Sequence, residues 1–139
     1  MNPRTKIFVV EQDCGRLINI MLYLEQFSEF ELVGSCGRAC ELNWQLQQAN
    51  VDVVLVDSES LDAESIATVR AIKSGANPPS MLVLGGNDSS AAEKVLLADA
   101  DGLMKRTSGI KDLAESIRRV LNKRKAAATV VKLPRTKAG

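Results

Sequence analysis

Histidine is absent from the 139-residue chain, and cysteine and aromatic residues are scarce. Without histidine the chain has no Ser-His-Asp or Cys-His nucleophile pair and no mixed zinc site of the usual kind. Its three cysteines, Cys14, Cys36 and Cys40, are an odd number and too few to staple a domain of this size. Such cysteine usage is typical of a reducing compartment, so a cytoplasmic protein is expected.

Long apolar segments are missing as well. No apolar run approaches the length of a membrane span. The first residues, MNPRTKIFVVEQD, reach acidic side chains too early to hold the apolar part of a signal peptide. No phosphate-binding glycine fingerprint follows any of the apolar runs, which disfavours a nucleotide-binding enzyme. Membrane insertion is not expected.

Charge is divided unevenly along the chain, although the net value is only +1. Residues 123–139 hold six of the 18 basic side chains and no acid, so residues 1–122 carry 12 basic against 17 acidic side chains, a net charge of −5. Residues 1–122, with their net negative charge, have no electrostatic attraction for nucleic acid, whereas the basic residues 123–139 have a weak one. We expect one domain over 1–122 and a basic flexible tail or linker over 123–139.

Short β-branched runs alternate with helical periodicity along the whole body. Helical spacing of apolar residues follows each run; the second predicted helix contains Trp44, and Thr107 or Ser108 caps the fifth. Five strands alternating with five helices predict an α/β fold with a doubly wound parallel sheet covered on both faces. The predicted strands are Lys6–Val10, Phe30–Val33, Asp52–Val56, Met81–Leu84 and Gly102–Lys105.

Polar residues follow the strands at the edge of the sheet where α/β proteins bind ligands. An acidic cluster from the first and third strands faces a basic pair from the fifth. The sequences at the four relevant strand ends are Glu11-Gln12-Asp13, Asp57-Ser58-Glu59, Gly85-Gly86-Asn87 and Lys105-Arg106.

This arrangement resembles the receiver domain of bacterial two-component response regulators over about residues 5–122. The similarity is greatest to receivers attached to LuxR-type DNA-binding domains, whose second strand and Val-Gly-x-x-Gly pattern is similar to LVGSCG at 32–37. The spacings from strand one to Asp57 and on to Ile66 match the family without a gap, whereas the stretch from Gly85 to Gly102 is one residue short. The resemblance implies a flavodoxin-like five-stranded sheet of order 2-1-3-4-5 with five helices, and a signalling function that is not enzymatic.

The resemblance also implies a phosphorylation site. Asp57 matches the phosphoacceptor, a carboxylate nucleophile that takes a phosphoryl group from a histidine kinase. Glu11, Asp57 and Glu59 match the region that holds Mg²⁺, but Gln12 replaces the family's second acid, so a reduced Mg²⁺ affinity is expected. The basic residue of strand five is Arg106 in the family register, with Lys105 as the alternative.

Two positions that switch such domains are altered. Gly85 stands where the family has a Thr or Ser hydroxyl, and Leu103 stands where it has an aromatic residue. Because allostery requires a differential interaction between two states, phosphorylation has little to act on. The sequence therefore favours an atypical receiver, or pseudo-receiver, that works mainly through contacts with a histidine kinase or another signalling protein, or with a second copy of itself.

Other hypotheses stay open. The main alternative is a fully phosphorylation-competent receiver of a DNA-binding transcription regulator, and the simplest alternative for Asp57 is a structural ion pair with the basic pair of strand five. A binding module predicts exposed apolar side chains at Leu96, Leu97 and Leu103, in the family's usual interface of fourth helix, fifth strand and fifth helix. The sequence does not distinguish a stand-alone receiver from a fragment of a longer regulator.

Overall fold

A single sheet forms the centre of the molecule in the computed structural model, which describes residues 3–42, 46, 50–86, 90–106 and 109–132, with side chains as far as 126. All strand pairs are parallel and the sheet has five strands in the order β2-β1-β3-β4-β5. Each predicted strand and the predicted order 2-1-3-4-5 are confirmed. The strands are β1 (Thr5–Val10), β2 (Phe30–Cys36), β3 (Val53–Asp57), β4 (Ser80–Gly85) and β5 (Gly102–Lys105).

Four α-helices are defined within the described residues, rather than the five predicted. They are α1 (Cys14–Glu25), α2 (Ala63–Lys73), α3 (Ser90–Ala98) and α4 (Leu113–Lys132). Between β2 and β3 the described residues contain a 3-10 turn at Ala39–Glu41, and most of the predicted second helix, with Trp44, lies outside the described ranges. The predicted caps Thr107 and Ser108 also lie outside them.

Helix α4 continues to Lys132, beyond residue 122. The division into a body over 1–122 and a tail over 123–139 therefore stays a prediction. In the part of the chain that the structure describes, no helix has both the length and the hydropathy required to cross a membrane.

Two apolar cores lie on opposite faces of the sheet, because neighbouring residues of a strand alternate between its faces. Leu55 of β3 packs with Ile20 of α1 and Ile117 of α4. Val54, its neighbour, packs with Val69 of α2 on the other face. All five residues of β3 are buried, which explains the unbroken apolar run in the sequence: a strand covered on both faces has no solvent side.

Gly34 is required by the pairing of β1 with β2. The register between these strands shifts between Ile7 and Phe8, and a Cβ atom at Gly34 would lie 2.8 Å from Cε2 of the Phe8 ring. Real Cβ atoms do not approach an aromatic carbon so closely, so only glycine fits beneath the ring. The glycine of the Val33-Gly34 pattern therefore has a packing reason.

Tyr23 connects α1 with the start of α4. Its hydroxyl donates to the carbonyl oxygen of Lys111 at 3.0 Å and accepts the N–H of Ala114 at 3.2 Å. The Ala114 N–H lies in the first turn of α4, where backbone donors have no partner within the helix. A side chain of α1 thus provides the hydrogen-bond partner of a backbone N–H at the start of α4.

All three cysteines are free thiols, with Cys14 exposed and Cys36 and Cys40 half-buried. Burial raises the pKa of Cys36 to about 11. Because the thiolate is the reactive form, the Cys36 thiol is poorly reactive at neutral pH.

Candidate functional site

Asp57, the last residue of β3, lies at the carboxyl edge of the sheet with its side chain fully buried. Arg106 directly follows β5, and its Nη2 atom contacts Oδ1 of Asp57. Nη2 of Arg16 lies 3.4 Å from the other oxygen, Oδ2. Lys105 is exposed. Of the two basic residues predicted from strand five, the structure therefore brings Arg106 to Asp57 and places Lys105 at the surface.

Arg16, in the first turn of α1, lies at the centre of the acidic cluster. Its guanidinium donates to both carboxylate oxygens of Glu11 at 3.3 Å and to Oε2 of Glu59 at 2.8 Å, in addition to its contact with Asp57. The hydrogen bond to Glu11 raises the pKa of Arg16. The three acids predicted as metal ligands do converge, but they converge on an arginine.

The residues between β1 and α1 orient this arginine. Asp13 is the N-cap of α1 and accepts the backbone N–H of Arg16 at 2.9 Å. This hydrogen bond lowers the pKa of Asp13. Gln12 is exposed. The Asp13 carboxylate therefore caps α1, and its hydrogen bond fixes the backbone of Arg16 beside the pocket.

The donor set does not fit Mg²⁺ in this arrangement. Mg²⁺ requires oxygen ligands in a near-octahedral array, yet Glu11, Asp57 and Glu59 each accept a hydrogen bond from Arg16. Among the described residues no group of three or more His, Cys, Asp or Glu side chains could hold a metal ion. A Mg²⁺ site at these acids stays a prediction, and it requires Arg16 to move away.

Position 85 has no space for a side chain. A Cβ atom on Gly85 would lie 2.7 Å from Cβ of Ala91 and 2.9 Å from Cδ1 of Leu103. Leu103 itself packs against the core on the α2 face of the sheet. The two predicted switch positions are therefore neighbours. Ala91 and Leu103 fill the space that a side chain at position 85 would occupy.

A cavity of about 180 Å³ lies beside Arg16 and Arg106, and its walls include Ile20, Leu84 and Met104. Burial lowers the pKa of Arg106, but an arginine stays charged in proteins at neutral pH. Asp57 itself is fully buried, and the low local dielectric strengthens the attraction between its carboxylate and the guanidinium groups.

Two basic residues of the site were missed in the sequence, Arg16 and Lys94. Lys94 of α3 donates to the carbonyl oxygen of Ser58 at 2.9 Å, directly after Asp57. One signal did exist for Arg16. A cation in the first turn of a helix is disfavoured by the helix dipole, so its position between a capping aspartate and the helix body indicates a role outside the helix.

Solved structures with this fold include receiver domains of response regulators. A LuxR-family two-component response regulator from an Aurantimonas species has a TM-score of 0.76 at 20% identity, over 87% of this chain and 87% of that chain. The signal receiver domain of the putative response regulator NarL from Mycobacterium tuberculosis has a TM-score of 0.76 at 13% identity, over 87% and 98%. The isolated receiver domain of RcsB from Salmonella enterica serovar Typhimurium, in the presence of phosphomimetic BeF₃⁻, has a TM-score of 0.70 at 20% identity, over 84% and 87%.

No family model and no curated protein matches the chain. The neighbours therefore define the fold: the chain folds as a response regulator receiver domain does. The predicted resemblance is confirmed at this level.

Proposed function

We propose that the chain is an atypical, non-enzymatic receiver domain of the cytoplasm that signals mainly by binding another signalling protein, with Asp57 phosphorylated inefficiently or not at all. One observation carries the proposal. The Asp57 carboxylate is fully buried and contacts two guanidinium groups, those of Arg16 and Arg106. In this proposal the receiver comprises residues 1–122 and a basic linker comprises 123–139.

The ion pairs oppose the chemistry of phosphorylation. In that reaction a carboxylate oxygen of Asp57 forms a bond to the phosphorus of the donor, while the bond from phosphorus to the leaving atom breaks, a ring nitrogen in a histidine kinase or an oxygen in acetyl phosphate. Arg106 contacts Oδ1 and Arg16 contacts Oδ2, so an incoming phosphoryl group must displace a guanidinium from whichever oxygen attacks. A carboxylate held in two charge-assisted contacts is a poorer nucleophile than a free one.

The residues around Asp57 also provide few groups that could bind a phosphoryl group and change conformation. Gly85 has no hydroxyl, and its Cα is covered by Ala91 and Leu103. A phosphoryl group shifts a conformational equilibrium only by the contacts that differ between the two states. Without a hydroxyl donor at position 85, one such contact is absent, which supports a domain that works without the switch.

An exposed apolar surface on α3 supports a function in protein binding. Leu96 is 81% exposed and Leu97 47% exposed, whereas Leu103 of β5 is half-buried and packs on the core. Two of the three predicted leucines are thus accessible. Covering such side chains removes apolar area from water, and we propose that a signalling protein covers them.

The alternative is a phosphorylation-competent receiver of a transcription regulator. It is supported by the position of Asp57 at the end of β3 with a cation after β5. The RcsB receiver, which shares the fold, was solved with a phosphomimetic.

Intact-protein mass spectrometry separates the two functions. The wild type and Asp57→Asn are incubated with Mg²⁺ and acetyl phosphate. We expect no phosphoryl increment in either protein, because the two arginines shield the nucleophile. A near-stoichiometric, Mg²⁺-dependent increment in the wild type that is missing from Asp57→Asn would establish the alternative function and refute the proposal.

The proposed surface is tested by sedimentation equilibrium on the wild type and on Leu96→Glu. If the partner is another protein, both sediment as monomers. A wild-type dimer that dissociates in Leu96→Glu identifies a second copy of the chain as the occupant instead.

A further inference from the structure

The Arg16 guanidinium contacts the carboxylate oxygens that a divalent cation would need as ligands. It binds Glu11 after β1, Asp57 at the end of β3 and Glu59 two residues further on, at 3.3, 3.4 and 2.8 Å. Three carboxylates from two separate parts of the chain thus share one cation. That cation is covalently part of the protein.

The pocket needs this positive charge. The side chains of Glu11 and Asp57 are 1% and 0% exposed, and burying two carboxylates without compensation is costly. Among the described residues Arg106 forms its ion pair with Asp57, whereas Arg16 is the cation that donates hydrogen bonds to Glu11. The Arg16 side chain is 37% exposed, so it can move into solvent if another cation takes its place.

A divalent cation competes with Arg16 for the same place. It would need the carboxylate oxygens that Arg16 holds, and its charge would repel a guanidinium a few ångströms away. The two cations therefore exclude each other. Arg16 also has an advantage in entropy, because its backbone is already fixed by the cap at Asp13 and it is not drawn from solution.

We propose that Arg16 is a tethered cation that takes the place of a divalent metal, so that the wild-type pocket is metal-independent and loss of Arg16 lets Glu11, Asp57 and Glu59 rearrange around Mg²⁺ or Mn²⁺. This deepens the proposed function and rests on it in taking Asp57 as the centre of the site. It assigns Arg16 the role of determining which cation the pocket holds.

Titration with Mn²⁺, followed by electron paramagnetic resonance, tests the proposal on three proteins: wild type, Arg16→Gln and Arg38→Gln. Arg38 is a matched control because it also bridges two carboxylates, Asp62 at 3.3 Å and Glu64 at 3.4 Å. We expect Arg16→Gln to bind Mn²⁺ at least about tenfold more tightly than the wild type, a difference of about 1.4 kcal/mol. Arg38→Gln should bind as weakly as the wild type. Equal Mn²⁺ affinity in the wild type and Arg16→Gln overturns the proposal.

Thermal unfolding gives a second test, because a ligand that binds the native state raises the melting temperature. Arg16→Gln should melt below the wild type in EDTA and recover on addition of Mg²⁺, while the wild type does not respond. If Arg16→Gln fails to fold, Arg16→Lys serves in its place. Lysine keeps the charge but loses the planar fork that binds two carboxylates, so its Mn²⁺ affinity should lie above that of the wild type.

The metal titration and the phosphorylation assay have distinguishable failures. The titration contains no phosphodonor, so weak Mn²⁺ binding by the wild type together with efficient phosphorylation would refute the proposed function alone. Tight Mn²⁺ binding by the wild type would refute the tethered cation even if no phosphoryl increment appeared.

Discussion

Asp57 carries its negative charge inside the protein because two arginines far apart in the sequence meet there. Arg16 reaches it from α1 and Arg106 from the end of β5. Removing one partner of a buried ion pair leaves an uncompensated charge, and this costs more than the pair contributes. The energetics of the site therefore depend on the combination of side chains and not on any one of them.

A double-mutant cycle measures this dependence. Arg106→Ala should destabilise the protein by about 1–3 kcal/mol, as expected when a buried polar group loses its partner. In an Asp57→Asn background the same change should cost clearly less, because no buried charge is left unpaired. Urea denaturation followed by circular dichroism gives the four stabilities. Equal costs in the two backgrounds would show that Arg106 does not compensate Asp57.

Gly85 and Gly86 form a natural pair for a second test. Gly85→Ala should destabilise the fold by about 1–3 kcal/mol through overpacking, because its Cβ would lie under 3 Å from Ala91 and Leu103. Gly86→Ala adds the same atom where nothing lies within 4 Å, so it should change stability by less than about 0.5 kcal/mol. The comparison is made by chemical denaturation. A neutral Gly85→Ala would mean that position 85 does have room for a side chain.

Two helices begin in the same way, with an aspartate that caps the first turn. Asp13 accepts the N–H of Arg16 before α1, and Asp62 accepts the N–H of Ser65 before α2, each at 2.9 Å. These backbone hydrogen bonds lower the pKa of both aspartates below the ordinary value of 3.8. The ionised carboxylate is a stronger acceptor for these N–H groups than the protonated acid.

The caps predict how stability responds to acid. A carboxylate whose pKa is lower in the folded state stabilises the fold above its unfolded pKa, and this contribution is lost as the pH falls through the folded pKa. The loss from Asp13 and Asp62 therefore lies below about pH 4. The double variant Asp13→Asn and Asp62→Asn keeps capping side chains that do not titrate, so its stability should fall less steeply with acid. Urea titrations at several pH values between 2 and 6 measure the slopes, and parallel curves would contradict the prediction.

Elements with strong local signals were predicted well. The five strands were predicted from β-branched runs. The end of α4 was not predicted, because the apolar periodicity stops at Leu121 and the basic run that continues the helix stops at Lys125, whereas the helix continues to Lys132. The alanines after Lys125 have high helix propensity without an apolar face, so hydrophobic spacing alone missed them.

The site was predicted in part for a similar reason. Asp57, Glu11 and Arg106 lie at strand ends, and the ends of parallel strands meet at one edge whatever the side chains are. Arg16 reaches the same point from a helix, through a side chain whose direction no short-range pattern specifies. The closeness of Ala91 and Leu103 to Gly85 is likewise a packing result, because it depends on how α3 and β5 lie against β4.

The molecule as a whole is held by one sheet with a core on each face. Leu55 belongs to the core beneath α1 and α4, and Val54 to the core beneath α2. Since both residues are on the central strand β3, each core is built on the same backbone. Neither core can be lost while the other keeps its packing, and a small domain of this kind unfolds as one unit.

This architecture predicts equal cooperativity for variants on the two faces. Leu55→Ala should cost about 2–5 kcal/mol and Val54→Ala somewhat less, since fewer carbons are removed. In each variant the unfolding curves from far-ultraviolet circular dichroism and from intrinsic fluorescence should coincide in a single transition. Separate transitions for the two probes in either variant would show that the faces unfold independently.

Tyr23 can report spectroscopically on the contact between α1 and the start of α4. It is the one tyrosine of the chain, its hydroxyl is held by Lys111 and Ala114 at the start of α4, and it shares α1 with Arg16. Near-ultraviolet circular dichroism is sensitive to the fixed packing of aromatic side chains. Any event at the acidic pocket that shifts α1 will therefore alter the tyrosine band, so the protein can be observed without attaching a label.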